Sequence, residues 1–277
     1  MRVFVYDRSG FPLLSQGFLS SKSVDKRGYE TLSGSVDITA GTYGVLSYNF
    51  DAEDTHVDGE NSFQSVYAYT DKLPESFFAR FGSRADGLGD VYYTPDHLMV
   101  AGNPQFTVKA STGLELDMDA HTVVDTYYIQ IRVSGQASLA SNANGVAVLS
   151  GLSKAVMMGE GKLVEEPVSV YFEMKKSVDP KIKAENQHVL CAVFNTFGRI
   201  EDIESSLKLT LSVLARNGKT FQKEVDMTPI FKTEDARLRH WLLIDEVWEI
   251  PEVMDSSGGG FRPEVEGWED IEQTIPL

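Results

Sequence analysis

Apolar and polar residues alternate with a period of two along most of this chain, the spacing of a half-buried strand. Arg2-Val3-Phe4-Val5-Tyr6 opens the pattern. In 34–50, Val36 and Ile38 alternate with Asp37 and Thr39, Ala40-Gly41 turns the chain, and Tyr43 begins a second strand that runs to Phe50. Similar runs follow at 65–70, 105–110, 126–133, 145–149, 167–174 and 188–194. The clearest hairpin joins 207–215 to 220–225 through Arg216-Asn217-Gly218-Lys219, because Asn-Gly accepts the positive φ angles of a tight primed turn. A last strand is predicted at 240–250. Helical spacing is confined to two short stretches, 73–81 and 198–206, each a short helix or a turn.

Many short strands with regular turn signals predict an all-β chain of antiparallel sheets packed as sandwiches. The strands are more than one sandwich ordinarily holds, so two tandem units are expected, residues 1–114 and 115–277. The join falls in 111–121, where Ser-Thr-Gly and then Asp-Met-Asp-Ala-His interrupt the alternation. The tail, 256–277, has a different character. Ser256-Ser257-Gly258-Gly259-Gly260 reads as a hinge, and after it Phe261, Val265, Trp268, Ile271 and Ile275 stand as apolar anchors among acids. Such a segment suits packing on a surface, either its own or a neighbour's.

Charge narrows the function. Lys plus Arg number 25 and Asp plus Glu 41, a net charge of −16, which argues against nucleic acid and against docking on anionic lipid. The single cysteine, Cys191, excludes an internal disulfide and sits in an apolar run as a small core residue. No apolar stretch approaches a membrane span, and Met1–Asp7 lacks the features of a signal peptide.

Motifs of catalysis are missing from the sequence. There is no phosphate loop, dinucleotide fingerprint or nucleophile elbow, and His56, His97, His121, His188 and His240 are scattered. No catalytic, cofactor or metal residue is assigned. The acidic stretch 51–60 has the oxygens for calcium but not the spacing of a calcium loop, so it reads as solvated. Asp245 and Glu246, adjacent on a strand, would face opposite ways and form no carboxylate pair. Tyr92, Tyr93, Trp241, Trp248 and Trp268 are candidates for stacking on sugars, though aromatics in sandwiches more often fill the core. Three readings follow: a binding or structural protein that docks through a sheet edge, a carbohydrate-binding sandwich, and an enzyme of glycan metabolism with two carboxylates in a cleft.

Five stretches carry a family resemblance. They are Ala40-Gly41-Thr42-Tyr43-Gly44-Val45-Leu46-Ser47-Tyr48-Asn49, Tyr93-Thr94-Pro95-Asp96-His97-Leu98, Leu149-Ser150-Gly151-Leu152-Ser153, Val193-Phe194-Asn195-Thr196-Phe197-Gly198, and Gly258–Val265 with Gly267-Trp268. In order and spacing the chain resembles the fimbrillin-like surface lipoproteins of Bacteroidales. The resemblance implies two transthyretin-like sandwiches, a lipoprotein signal and a cell-surface location at the outer membrane. It also implies partners that are other fimbrial subunits or surface proteins joined by β-strand addition, and a host or bacterial surface ligand. Family members carry a signal, a lipidated cysteine and a further strand before the position of Arg2, so a truncated or late start is expected here. The interface candidates are Val3, Phe4, Val5 and Tyr6 at a sheet edge, and Phe261, Val265, Trp268, Ile271 and Ile275 in the tail.

Overall fold

β-Branched and aromatic residues at alternate positions make this chain a set of strands that bury one face or both. The structure is a computed structural model and describes residues 1–8, 13–50, 52–79, 90–110, 113–135, 145–177, 187–200, 207–215 and 220–252. The strands are β1 (Arg2–Asp7), β2 (Leu13–Phe18), β3 (Ser21–Val24), β4 (Glu30–Ser33), β5 (Gly41–Tyr48), β6 (Thr55–Asp58) and β7 (Tyr67–Thr70), followed by helix α1 (Glu75–Ala79). Next come β8 (Val91–Tyr92), β9 (Met99–Val108), β10 (His121–Thr122), β11 (Asp125–Ser134), β12 (Gly145–Ser153), β13 (Ala155–Met157) and β14 (Lys162–Leu163). The last group is β15 (Pro167–Ser177), β16 (Gln187–Thr196), β17 (Lys208–Leu214), β18 (Thr220–Asp226), helices α2 (Thr228–Phe231) and α3 (Glu234–Arg239), and β19 (Trp241–Glu249).

Two apolar cores organise them. The first lies between the sheet β10-β9-β5-β1-β2 and the sheet β14-β13-β7-β6. Phe4, Tyr6, Leu46 and Tyr48 meet Phe63, Val66, Val156 and Met158 there. The second core lies inside the curled sheet β18-β17-β12-β15-β16-β11-β19. Strand β15 joins its two layers, pairing β12 through Pro167–Met174 and β16 through Lys175–Ser177. Ile129, Ile131, Leu149, Phe172, Leu190, Leu211 and Ile244 fill this core. Lys223 of β18 and Glu246 of β19, at opposite ends of the strand order, lie 2.6 Å apart, so the sheet curls back on itself. The chain is therefore all-β and sandwich-like. β13 and β14 pair with β7 and pack in the first core, although they follow the 114/115 position in sequence.

The 207–225 hairpin forms in one unbroken register, from Lys208↔Asp226 to Leu214↔Thr220; its turn lies outside the described residues. Three local expectations change. Residues 34–39 join no ladder. The last strand is parallel to β11, not antiparallel, with a bulge at Asp245 and Glu246, both exposed, which pair with different residues, Arg132 and Lys223. Residues 55–58 of the acidic stretch form β6, paired with β7. The helices at 228–239 have a legible start. Pro229 opens α2, and the Thr233 hydroxyl caps α3 by accepting from the Ala236 N–H at 3.2 Å, ahead of Glu234 and Asp235.

Candidate docking interface

β1 lies inside its sheet, with β5 on one side and β2 on the other. Val3, Phe4, Val5 and Tyr6 are all buried, so they hold the sheet together and offer no edge. Phe4 and Tyr6 face the first core, while Val3 and Val5 face the opposite way beside Tyr43 and Val45. The edge assigned to β1 from sequence thus belongs to β2. The signal for β2, Leu13-Leu14-Ser15-Gln16-Gly17-Phe18, was weak because its polar residues dilute the alternation.

The hydrogen-bond phase of β2 shows which groups are open. Met1 and Leu19 exchange both backbone hydrogen bonds, the Leu19 N–H donating at 2.9 Å and the Met1 amine at 3.2 Å. Bonded pairs recur at every second residue of an antiparallel ladder. Gly17 and Ser15, opposite Val3 and Val5, therefore point their N–H groups toward β1. Gln16 and Phe18 point theirs outward. One residue further on, that outer side is occupied: the Ser20 N–H donates to the Ser33 carbonyl of β4 at 3.2 Å. Gly34 also passes so close to the Phe18 carbonyl that a Cβ there would lie 2.6 Å from it. Among the described residues the outward N–H groups of Gln16 and Phe18 have no backbone partner.

Apolar surface surrounds this edge. Phe18 is 60% exposed and Phe50 51%, with ring centroids 5.6 Å apart in an edge-on contact. Leu14 is also exposed on β2. Gln16 and Phe18 lie opposite Phe4 and Arg2, on the face that packs against the second sheet, yet they remain exposed. The first core therefore covers Leu13 at the start of β2 but neither Gln16 nor Phe18.

On the other face, residues 34–39 and 113–120 cross the sheet without ladder partners. Val36, Ile38, Leu116 and Met118 project from them onto Val3, Val5, Tyr43 and Val45. β3 and β4 form a separate two-stranded ribbon with every strand residue exposed, Val24 among them, and Tyr29 is exposed in its turn. Its turn is held by Asp25, whose carboxylate accepts from the Arg27 N–H at 2.7 Å and the Tyr29 N–H at 2.9 Å. These bonds, the one from Tyr29 foremost, hold the Asp25 carboxyl below the usual carboxylate range.

A polar network ties β1 to the loop after β6. Tyr48 donates to Glu60, and Arg2 bonds the same carboxylate at 3.1 Å. Burial, then the neighbouring Glu60, pushes both Tyr6 and Tyr48 up in pKa. The network ties β1 and β5 to that loop.

The other sequence candidates disperse. Tyr92 and Trp248 are buried, so neither ring offers a face to sugar. Cys191 is partly buried on β16. No group of three or more His, Cys, Asp or Glu gathers as metal ligands among the described residues. Phe261, Val265, Trp268, Ile271 and Ile275 lie outside the described residues. Among the described residues no helix is long and apolar enough to cross a membrane.

The comparisons agree with this architecture. The model of the family described as Domain of unknown function (DUF5119) matches residues 1–173. A Bacteroides ovatus protein named "Putative fimbrium anchoring subunit Fim4B" is 26% identical over 213 residues, 76% of this chain and 55% of its own length. The chain thus spans about half the length of the curated relative it matches. A solved structure of a "putative adhesin" from Bacteroides ovatus has a TM-score of 0.60 at 21% identity, over 91% of this chain and 87% of that one. Another, from Bacteroides thetaiotaomicron, has a TM-score of 0.51 at 12% identity, over 86% and 75%. At these identities the solved structures show the fold. The fimbrillin-like resemblance read from the sequence is upheld, and the chain belongs to the DUF5119 family.

Proposed function

We propose that this protein is a non-enzymatic cell-surface subunit of a fimbrial or adhesion system, and that it joins its partners by β-strand addition. The observation that carries the reading is the open β2 edge. Outward N–H groups at Gln16 and Phe18 stand beside the exposed Phe18–Phe50 pair. A strand laid there gains backbone hydrogen bonds and apolar cover in one step. A net charge of −16 keeps such an edge from self-association until a matching strand arrives. The name of the Bacteroides ovatus relative, a fimbrium anchoring subunit, supports the same reading.

The tail is the donor in this account, with Phe261, Val265, Trp268, Ile271 and Ile275 as the side chains that fill a neighbour's groove. The test is deletion of residues 253–277. The shortened protein is expected to melt at the same temperature as the full chain and to lose assembly with fimbrial subunits of its own cell. A fall in melting temperature of ten degrees or so would instead make the tail part of its own sheet, since such a fall in a chain this long means several kcal/mol.

A further inference from the structure

A cleft of about 760 Å³ opens where β14 and the loop after β16 meet the start of β11 and helices α2 and α3. It is the meeting place of the two cores, and its size is that of a small-molecule site. Phe197 and Phe231, both nearly fully buried, give it apolar walls. Asp125 and Tyr127, two apart on β11, line it together.

Neither polar group has a hydrogen-bond partner among the described residues. The Tyr127 ring is pinned between Phe194 on one neighbouring strand, centroids 5.8 Å apart, and His240 at the start of the other, 4.8 Å apart. Both rings are near-parallel to it, so Tyr127 offers no stacking face and only its hydroxyl edge is left for the cleft. Burial holds the Asp125 carboxyl above the usual carboxylate range, against the pull of His240. It also pushes the Tyr127 hydroxyl up to about 12. A half-buried carboxylate without donors is costly, and a ligand that donates to it recovers that cost.

Arg199 and Arg237 also line the cleft. The Arg237 side chain, on the exposed face of α3, has no ion-pair partner among the described residues. Glu165 is the one further carboxylate in the lining. A planar guanidinium selects carboxylate by paired hydrogen bonds. The cleft therefore asks for hydroxyl donors toward Asp125 and an anion toward the arginines.

We propose that this cleft binds an acidic sugar residue, a uronic or sialic acid at the end of a glycan. Ring hydroxyls donate to Asp125, and the sugar carboxylate pairs with Arg237. This goes beyond strand addition and does not depend on it, because the cleft and the β2 edge lie in different sheets.

The test is saturation-transfer NMR and calorimetry on the full chain with sialyllactose and digalacturonate, and with lactose as the neutral control. At least one acidic sugar is expected to bind at least about tenfold more tightly than lactose, a difference of ~1.4 kcal/mol. Arg237→Ala is expected to erase that preference, and Asp125→Ala to remove binding of both kinds. Arg237 is exposed, so its variant folds even if the Asp125 variant does not. Absence of binding by both acidic sugars, equal binding of lactose, or an unchanged preference in Arg237→Ala would each overturn the proposal. Strand-mediated assembly by Arg237→Ala is expected to be unchanged, which separates this site from the docking edge.

Discussion

Replacing Phe4 by alanine is expected to destabilise the protein by about 3–5 kcal/mol, the range for a large aromatic removed from a packed core. Phe4 is fully buried. Its ring stacks on Tyr48 at 5.4 Å and 8°, lies 6.5 Å from Tyr6, and carries the Arg2 guanidinium 4.9 Å from its centroid. Removing it leaves a cavity at the centre of the first core and loosens the Arg2–Glu60–Tyr48 network above. Val156 and Phe197 share that core, so the loss is felt by segments more than a hundred residues away in sequence. Thermal unfolding followed by circular dichroism checks this, with a drop on the order of 10 °C for a chain of this size. Phe4→Leu keeps most of the volume and is expected to lose less than half as much. An alanine variant that melts with the parent would mean that Phe4 is not central to this core.

The second large effect concerns docking and leaves the fold intact. Gln16→Pro removes the outward N–H and keeps the β2 carbonyl, while the bonds from Gly17 and Ser15 to β1 stay in place. Proline is tolerated on an edge strand when its missing N–H faces solvent, and it is the residue that blocks strand addition. Association with partner subunits is expected to fall by about tenfold or more, equivalent to at least ~1.4 kcal/mol. Gln16→Ala, which keeps the N–H, should bind within about twofold of the parent, because side chains at such an edge tune specificity more than affinity. Surface plasmon resonance with immobilised fimbriae measures both. Equal losses in the two variants would assign the effect to the side chain and not to the ladder.

The fold class was legible because two-residue alternation is a local signal. Strands such as 43–48, 126–133 and 208–214 announce themselves through Val, Ile, Leu and Tyr that the sandwich must bury. The same signal misplaced 34–39. Val36 and Ile38 do pack, partly buried, against the cluster of Val3 and Val5, but 34–39 join no ladder. Alternation reports which side chains are covered, and pairing depends on a neighbour that the local sequence does not name.

The edge position was illegible for a related reason. An apolar run such as Val3-Phe4-Val5-Tyr6 marks a strand buried on both faces, hence one inside the sheet, whereas the true edge is the more polar Leu13–Phe18. The parallel pairing of β19 with β11 arises from the crossover through α2 and α3, which 228–239 signalled only by Pro229 and Thr233. The cleft could not be found from spacing, since Asp125, Phe197, Phe231 and Arg237 converge from distant segments.

The most direct measurement is amide hydrogen exchange at Gln16 and Phe18, in the free protein and in assembly with its fimbrial partners. The account predicts rapid exchange in the free protein, as for an unpaired edge, and protection by about a hundredfold or more once the partner strand is laid down. Continued rapid exchange at both amides in a complex that has formed would show that the partner docks elsewhere.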